Sequence, residues 1–422
     1  MRKIVQKVIL FFLFLLFLMG CRADESDGME KLEEKPEKEM ASLMDDTYYI
    51  ADVSGILILC EEEGDLEYQE NIQLLKGDKE SVEEAVKRLQ GMEQTAAVKN
   101  AIGAGYIRLA QCEEARKVLN EALSLSEKDS EQACILNNLA SIRLITEEDF
   151  MQNRIAARYE QAVKKERNPQ NRLIIEMNRI YYGPLTYLDK KDPTGYALNE
   201  FERLLEEEKK ILGSNQIVGV YGYSALSVFL ADDELLKKDE IRWINKAMEI
   251  NKRNHQYKAA NITIYSELAG CYYHIGEIEK ALEYVDKWIS LAEGFLAETD
   301  DVMYIRGYFH KATILTKGDR YDEAIECINT LLDKKKIHIE KRAIAWFILG
   351  EVYYSKNEVT NAQEMVSKGY EIFKQYKSEN GYGEGEWEIE EITKMYDRDN
   401  YDDENSKYLP WLKEQLEKLA QK

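Results

Sequence analysis

Between Tyr257 and Tyr376 the chain repeats one arrangement of apolar, small and polar positions three times. In the last copy Trp346, Leu349, Gly350 and Tyr353 follow a helical period, and Ala362 and Val366 answer them further on. One copy upstream the same slots hold Tyr308, Lys311, Ala312 and Leu315, then Ala324 and Ile328. The copy before that holds Tyr265, Leu268, Ala269 and Tyr272, then Ala281 and Val285. Each time the first small residue precedes the second by twelve positions: 269 to 281, 312 to 324, 350 to 362. This pattern predicts paired antiparallel helices. Small residues let two backbones cross closely, and large ones fill the grooves around the crossing.

A short polar turn separates the two helices, Gly276-Glu277 in one copy and Gly318-Asp319 in the next. Glycine there suits a left-handed helix end. The run Trp346-x2-Leu349-Gly350-x2-Tyr353, then Ala362-x3-Val366, resembles the tetratricopeptide signature without its final proline. The copies lie 43 and then 38 residues apart, against about 34 in the standard repeat, which implies longer helices or links. The resemblance implies an all-α fold, an α-solenoid that winds helical hairpins into a right-handed superhelix. It also implies a role in protein–protein interaction.

Upstream the pattern continues with more variation. Ile72–Lys76 and Ser81–Met92 form a plausible first hairpin, and Gly103, Tyr106, Ala115, Leu119 and Ala122 restore the twelve-residue spacing. Looser pairs cover 131–167, 170–212 and 215–252. The five prolines, Pro36, Pro169, Pro184, Pro193 and Pro410, all fall between predicted helices or at their starts. Residues 47–60 are a short β-branched apolar run compatible with strand or helix; the helical context favours helix. The repeats are therefore expected over 47–376, followed by an acidic helical cap over 377–422 whose last helix begins at Pro410.

The amino-terminal end reads differently. Arg2, Lys3 and Lys7 precede the unbroken apolar run Val8–Leu18, and Leu18-Met19-Gly20-Cys21 resembles a bacterial lipobox. The apolar run is short for a membrane span. The resemblance implies cleavage before Cys21, lipidation of its thiol and a location in the cell envelope outside the cytoplasm. Residues 22–46 are charged and nearly devoid of apolar side chains, as expected of a disordered tether. The formal net charge of -22 disfavours nucleic acid and favours a partner with a basic face.

Candidate chemistry is sparse. The six cysteines lack CxxC spacing, the four histidines form no HExxH, and Asp397-x-Asp399-x-Tyr401 continues with Asp402 where a calcium loop needs glycine. No cofactor, metal or catalytic group is expected. The resemblance places the first helix of each pair on the concave face. The slots left free by the motif there include Asn100, Asn137, Tyr273, Phe309, Phe347 and Tyr354. Aromatic rings and amides suit an extended peptide or a partner helix, with Asn side chains meeting backbone groups. The rivals are a small-ligand or glycan-binding surface, suggested by 27 tyrosines, and an enzyme, which needs converging titratable residues.

Overall fold

The computed structural model describes residues 46–421 except 63, 143–153, 182–192, 231–236, 255–256, 297–300, 335–336, 380–388, 390–391, 394–395 and 397–406. The signal segment with Cys21, the tether up to residue 45 and the acidic run after Asp397 lie outside the described residues. The architecture is an α-solenoid of antiparallel helix pairs.

The pairs follow in chain order. They are α1 (Leu66–Leu75) with α2 (Lys79–Gln90), α3 (Ala96–Arg108) with α4 (Cys112–Leu125), and α5 (Asp129–Ala140) with α6 (Arg154–Lys165). Next come α7 (Pro169–Tyr181) with α8 (Pro193–Leu212), and α9 (Ile217–Leu230) with α10 (Lys237–Arg253). The three strong copies are α11 (Lys258–His274) with α12 (Ile278–Phe295), α13 (Arg306–Lys317) with α14 (Tyr321–Leu332), and α15 (Ile339–Ser355) with α16 (Val359–Glu379). A last helix, α17 (Tyr408–Ala420), packs on α15 and α16. Pro169 and Pro193 open their helices, where a missing N–H costs nothing. Asp65, Asp78 and Thr95 cap α1, α2 and α3 by accepting from the main-chain N–H of Tyr68, Ser81 and Val98.

The repeat signature does what its spacing requires. A Cβ on Gly350 would lie 2.6 Å from the Tyr408 hydroxyl and 3.1 Å from Val366 Cγ2, and one on Gly103 would lie 2.5 Å from Leu119. Four turns share one device. Ala110, Gly276, Asp319 and Asn357 take positive φ (56°, 79°, 57° and 62°). The next residue's N–H then reaches back to the carbonyls of Tyr106, Tyr272, Leu315 and Tyr353. This bond satisfies carbonyls that the helix end leaves open. In the Gly318-Asp319 turn the left-handed residue is Asp319 and not the glycine. Gly318 is needed for space instead, since its Cβ would meet Ile278 Cγ2 at 3.0 Å.

One local expectation is overturned. Residues 47–60 do not form a helix; they form an antiparallel hairpin of β1 (Tyr49–Asp52) and β2 (Gly55–Ile58). Tyr49 pairs with Ile58 and Asp52 with Gly55, leaving Val53-Ser54 as a two-residue turn. Gly55 has φ +119°, a conformation L side chains rarely adopt. The Asp52 carboxylate accepts from the Ser54 N–H (3.0 Å) and hydroxyl, which fixes the turn. A hydrophobic run too short for a stable helix and interrupted by Gly55 is better satisfied as a strand inside a groove.

Candidate functional site

The hairpin lies against the odd-numbered helices, the first of each pair. Ile56, Leu57, Ile58 and Leu59 are at most 1% exposed. Burial of such side chains is worth about 1.5–3 kcal/mol each, so the strand contributes heavily to the core around it.

Pairing with β1 uses the main-chain groups of Leu57 and Leu59, leaving those of Ile56 and Ile58 directed toward the helices. Four asparagines meet them. Asn178 on α7 accepts from the Ile56 N–H (2.9 Å) and donates to its carbonyl (2.7 Å). Asn138 on α5 does the same for Ile58, at 2.9 and 2.8 Å. Asn137 adds a second donor to the Ile56 carbonyl (3.0 Å), and Asn100 on α3 a second donor to that of Ile58 (2.9 Å). The amides also bond to one another. Asn178 donates to Asn137 (2.9 Å), Asn137 to Asn138 (3.1 Å) and Asn138 to Asn100 (2.9 Å). All four are fully buried. Buried polar groups are stable only when satisfied, and here each amide satisfies strand and neighbour together.

The ends of the hairpin are held as firmly. Tyr221 on α9 donates to the Asp52 carbonyl (3.0 Å), and Tyr49 donates to Asn171 on α7 (2.5 Å). Tyr68 on α1 donates to the Cys60 carbonyl (2.9 Å). Arg108 on α3 places Nε 3.8 Å from the Asp52 carboxylate, both side chains being at most 1% exposed. Its guanidinium also donates to the carbonyls of Leu75 (2.6 Å) and Gly77 (3.0 Å) and lies 4.2 Å from the Phe295 ring centroid. That stacking links the early repeats to the end of α12 across the hairpin. Cys60, just past the strand, hydrogen-bonds the Cys134 thiol of α5; this bond and burial push the Cys134 thiol well up.

Of the inner-face residues expected from sequence, Asn100 and Asn137 thus join one row, with this chain's own strand as the occupant. Asn138 and Asn178 complete the row and were not anticipated. Their signal was there: asparagine is a poor residue for a helix interior, yet it recurs in α3, α5 and α7. Phe309 and Phe347 are buried core residues, and the Phe347 ring packs so close to Gly369 that a Cβ there would lie 2.6 Å from it. Tyr273 is 6% exposed, with Lys317 5.7 Å above its ring. Tyr354 packs on the last helix, 4.7 Å from the Trp411 ring and 5.7 Å from that of Tyr408. These aromatics are spread over three repeats and do not converge.

A second feature lies where α10, α11 and α13 meet. A cavity of about 160 Å³ is lined by Glu240, Ser266, Glu267, Cys271, His274, Arg306 and His310, with Trp288 and Met303. Burial first, then the Glu240 charge, push Glu267 up to about 7, against the opposing effect of Arg306. Burial likewise drives His310 well down, so it stays neutral. Titratable side chains therefore do gather in one place, although their spacing in sequence gives no motif. Among the described residues no group of three or more His, Cys, Asp or Glu is placed to hold a metal.

Part of the chain matches a known repeat family. Residues 311–365 match the tetratricopeptide repeat family. A TPR repeat-containing protein of Methanocaldococcus jannaschii, MJ1428, is 24% identical over 222 residues, covering 48% of this chain and 36% of that protein. The chain thus spans about a third of that relative's length. Among solved structures, the putative kinesin light chain TPR-like repeats of Podosopora anserina align over 50% of this chain and 99% of theirs (15% identity, TM-score 0.42). A Rap protein complexed with competence and sporulation factor aligns over 75% and 89% (18% identity, TM-score 0.48). The Cut9 and Hcn1 tetramer aligns over 84% and 63% (13% identity, TM-score 0.49). The segment 311–365 that matches the repeat family lies within a longer helical solenoid.

Proposed function

We propose that the chain is a non-catalytic interaction scaffold, lipid-anchored through Cys21 outside the cytoplasm, whose inner face takes a protein or peptide partner. The observation that carries this reading is the asparagine row. Side-chain amides on three successive inner helices grip an extended strand by its backbone, as a groove holds the main chain of a bound peptide. The acidic composition supports a partner with a basic face, whose capture weakens as salt rises. The Leu18-Met19-Gly20-Cys21 junction supports the anchor.

Two measurements test it. Cys21→Ala should abolish metabolic labelling with a fatty acid and release the protein from membranes; continued labelling would remove the anchor. Cross-linking on whole membranes, followed by identification of the captured protein, should return a salt-sensitive partner. Capture unaltered at high salt would remove the basic-face partner.

The small-ligand reading has one observation in its favour, the polar cavity between α11 and α13. Its aromatic wall and paired carboxyls suit a small cationic or hydroxylated ligand. Protection of Cys271 from alkylation by a bound metabolite would support that alternative.

A further inference from the structure

The hairpin bonds to the solenoid in an unusual way. Among the described residues its main-chain hydrogen bonds run within residues 46–59, and no backbone group of the solenoid pairs with β2. Everything the solenoid offers the strand's backbone comes from side chains. These amides are also bonded to one another, which orients each of them along the row by contacts other than those to the strand. A preorganised row of donors and acceptors is the property of a receptor, because less ordering is lost on binding. The hairpin joins α1 only through residues 61–65, of which Glu61 and Gly64 are exposed.

We propose that residues 46–60 are the groove's ligand in cis, and that the groove receives one chemical class: an extended aliphatic segment opening with glycine. Deepening the peptide-groove reading above, this assigns the specificity. The backbone of alternate residues is read by Asn178 with Asn137, and by Asn138 with Asn100. The side chains at 56–59 enter closed apolar space. At the head of the strand a Cβ on Gly55 would lie 2.5 Å from Asn178 Oδ1, so only glycine admits the amide that holds Ile56. While the hairpin is seated the row is occupied. A partner strand of this class enters only as residues 46–60 leave.

The test uses the full chain with a protease site placed within residues 61–64, folded intact and then cut. A fluorescent synthetic peptide of residues 46–60 is offered to cut and uncut protein, with binding read by anisotropy and fold by circular dichroism. The cut chain should keep its helix content, retain the severed segment through gel filtration and exchange it for the labelled peptide. The uncut chain should bind at least tenfold less. Two altered peptides carry the specificity. One bears Gly55→Ala and the other an N-methyl group at Ile58, which deletes the N–H that Asn138 accepts. Each should compete at least tenfold more weakly, and Asn138→Ala in the cut chain should erase the penalty of N-methylation.

Loss of helix content on cutting would make the hairpin an inseparable part of the core and overturn the proposal. So would a severed segment that never exchanges, or altered peptides that compete as well as the parent. Failure to capture a partner from membranes bears on the scaffold reading alone, since every reagent in this exchange is defined.

Discussion

The early repeats and the last three pairs are built from the same helical hairpins, yet they fill their inner faces in opposite ways. From α3 to α7 the inner helices carry polar amides, and a separate strand supplies the apolar mass. From α13 onward the inner helices supply that mass themselves through Phe309, Ile314, Phe347 and Ile348, and α17 closes the end with Tyr408, Leu412 and Leu416. The contrast separates two uses of one repeat. The positions that cross helices are alike in both regions, so they specify the solenoid. What the inner face does is decided at slots the signature leaves free. Of the hairpin, Val53 at its tip lies in the apolar cluster of the later repeats, and Ala51 packs against that cluster.

The sharpest way to break this comparison is to remove the ion pair that fixes the hairpin tip. Arg108→Met should leave Asp52 buried beside Ser54 without its cation and strip the carbonyls of Leu75 and Gly77 of their donor. Breaking one side of a buried pair costs about 3–5 kcal/mol, read as a lower denaturation midpoint in urea. Adding Asp52→Asn should recover much of the loss, because an amide is far cheaper to bury than a charge. A double variant no better than Arg108→Met would mean the guanidinium acts through Phe295 and the two carbonyls instead.

The later repeats are tested by Gly350→Leu. The new side chain would run into the Tyr408 hydroxyl and Val366, and overpacking of this kind costs about 1–3 kcal/mol. Tyr408 donates to the Phe347 carbonyl (2.6 Å), so the same change should loosen α17 and speed proteolysis after residue 396. Changes in 22–45 should leave the melting temperature unmoved by comparison. Unchanged melting in Gly350→Leu would show that the crossing is not where the repeat register puts it.

The solenoid was legible because its crossings obey a fixed spacing that no other element imitates; Gly350, Ala362 and Val366 meet as read. The inner face was legible only in part. Asn100 and Asn137 stood out as polar residues in slots the motif does not use, but their occupant did not. A run such as Gly55–Cys60 carries too few residues for periodicity to separate strand from helix, and its pairing partners lie about 40 to 120 residues away. Phe347 and Tyr354 share one helix and look alike in sequence. Burial of one and partial exposure of the other depend on α16 and α17, which that helix does not encode. Glu240, Glu267, Arg306 and His310 converge from three helices without any local pattern.

The boundary between the two regions falls on α11, and its titration gives the smallest and most discriminating effect. Glu267 is held up to about 7 chiefly by burial, helped by Glu240 on α10 and opposed by Arg306 on α13, with His274, His310 and Cys271 facing the same space. Glu208 in the early repeats is also pushed up to about 7 by burial, although it accepts from the N–H of Val218 (2.7 Å) and Gly219 (3.2 Å). A carboxyl whose folded pKa lies above its unfolded value near 4.5 favours folding in its neutral form. Its contribution is complete below about 4.5 and is lost as pH rises through 7. The melting temperature should therefore fall between pH 5 and pH 8 in the parent. Glu267→Gln should flatten that fall and Glu208→Gln should flatten the remainder, each by a few degrees at most. The two variants differ in a second respect. The Glu208 carboxylate caps the start of α9, so its amide should weaken the cap and lower the melting temperature at pH 8. Glu267→Gln, which removes a charge that burial and Glu240 oppose more than Arg306 favours, should raise it. If both variants track the parent across the pH range, neither carboxyl is driven neutral by the fold. The cavity at α11 would then be a solvated notch between the two regions.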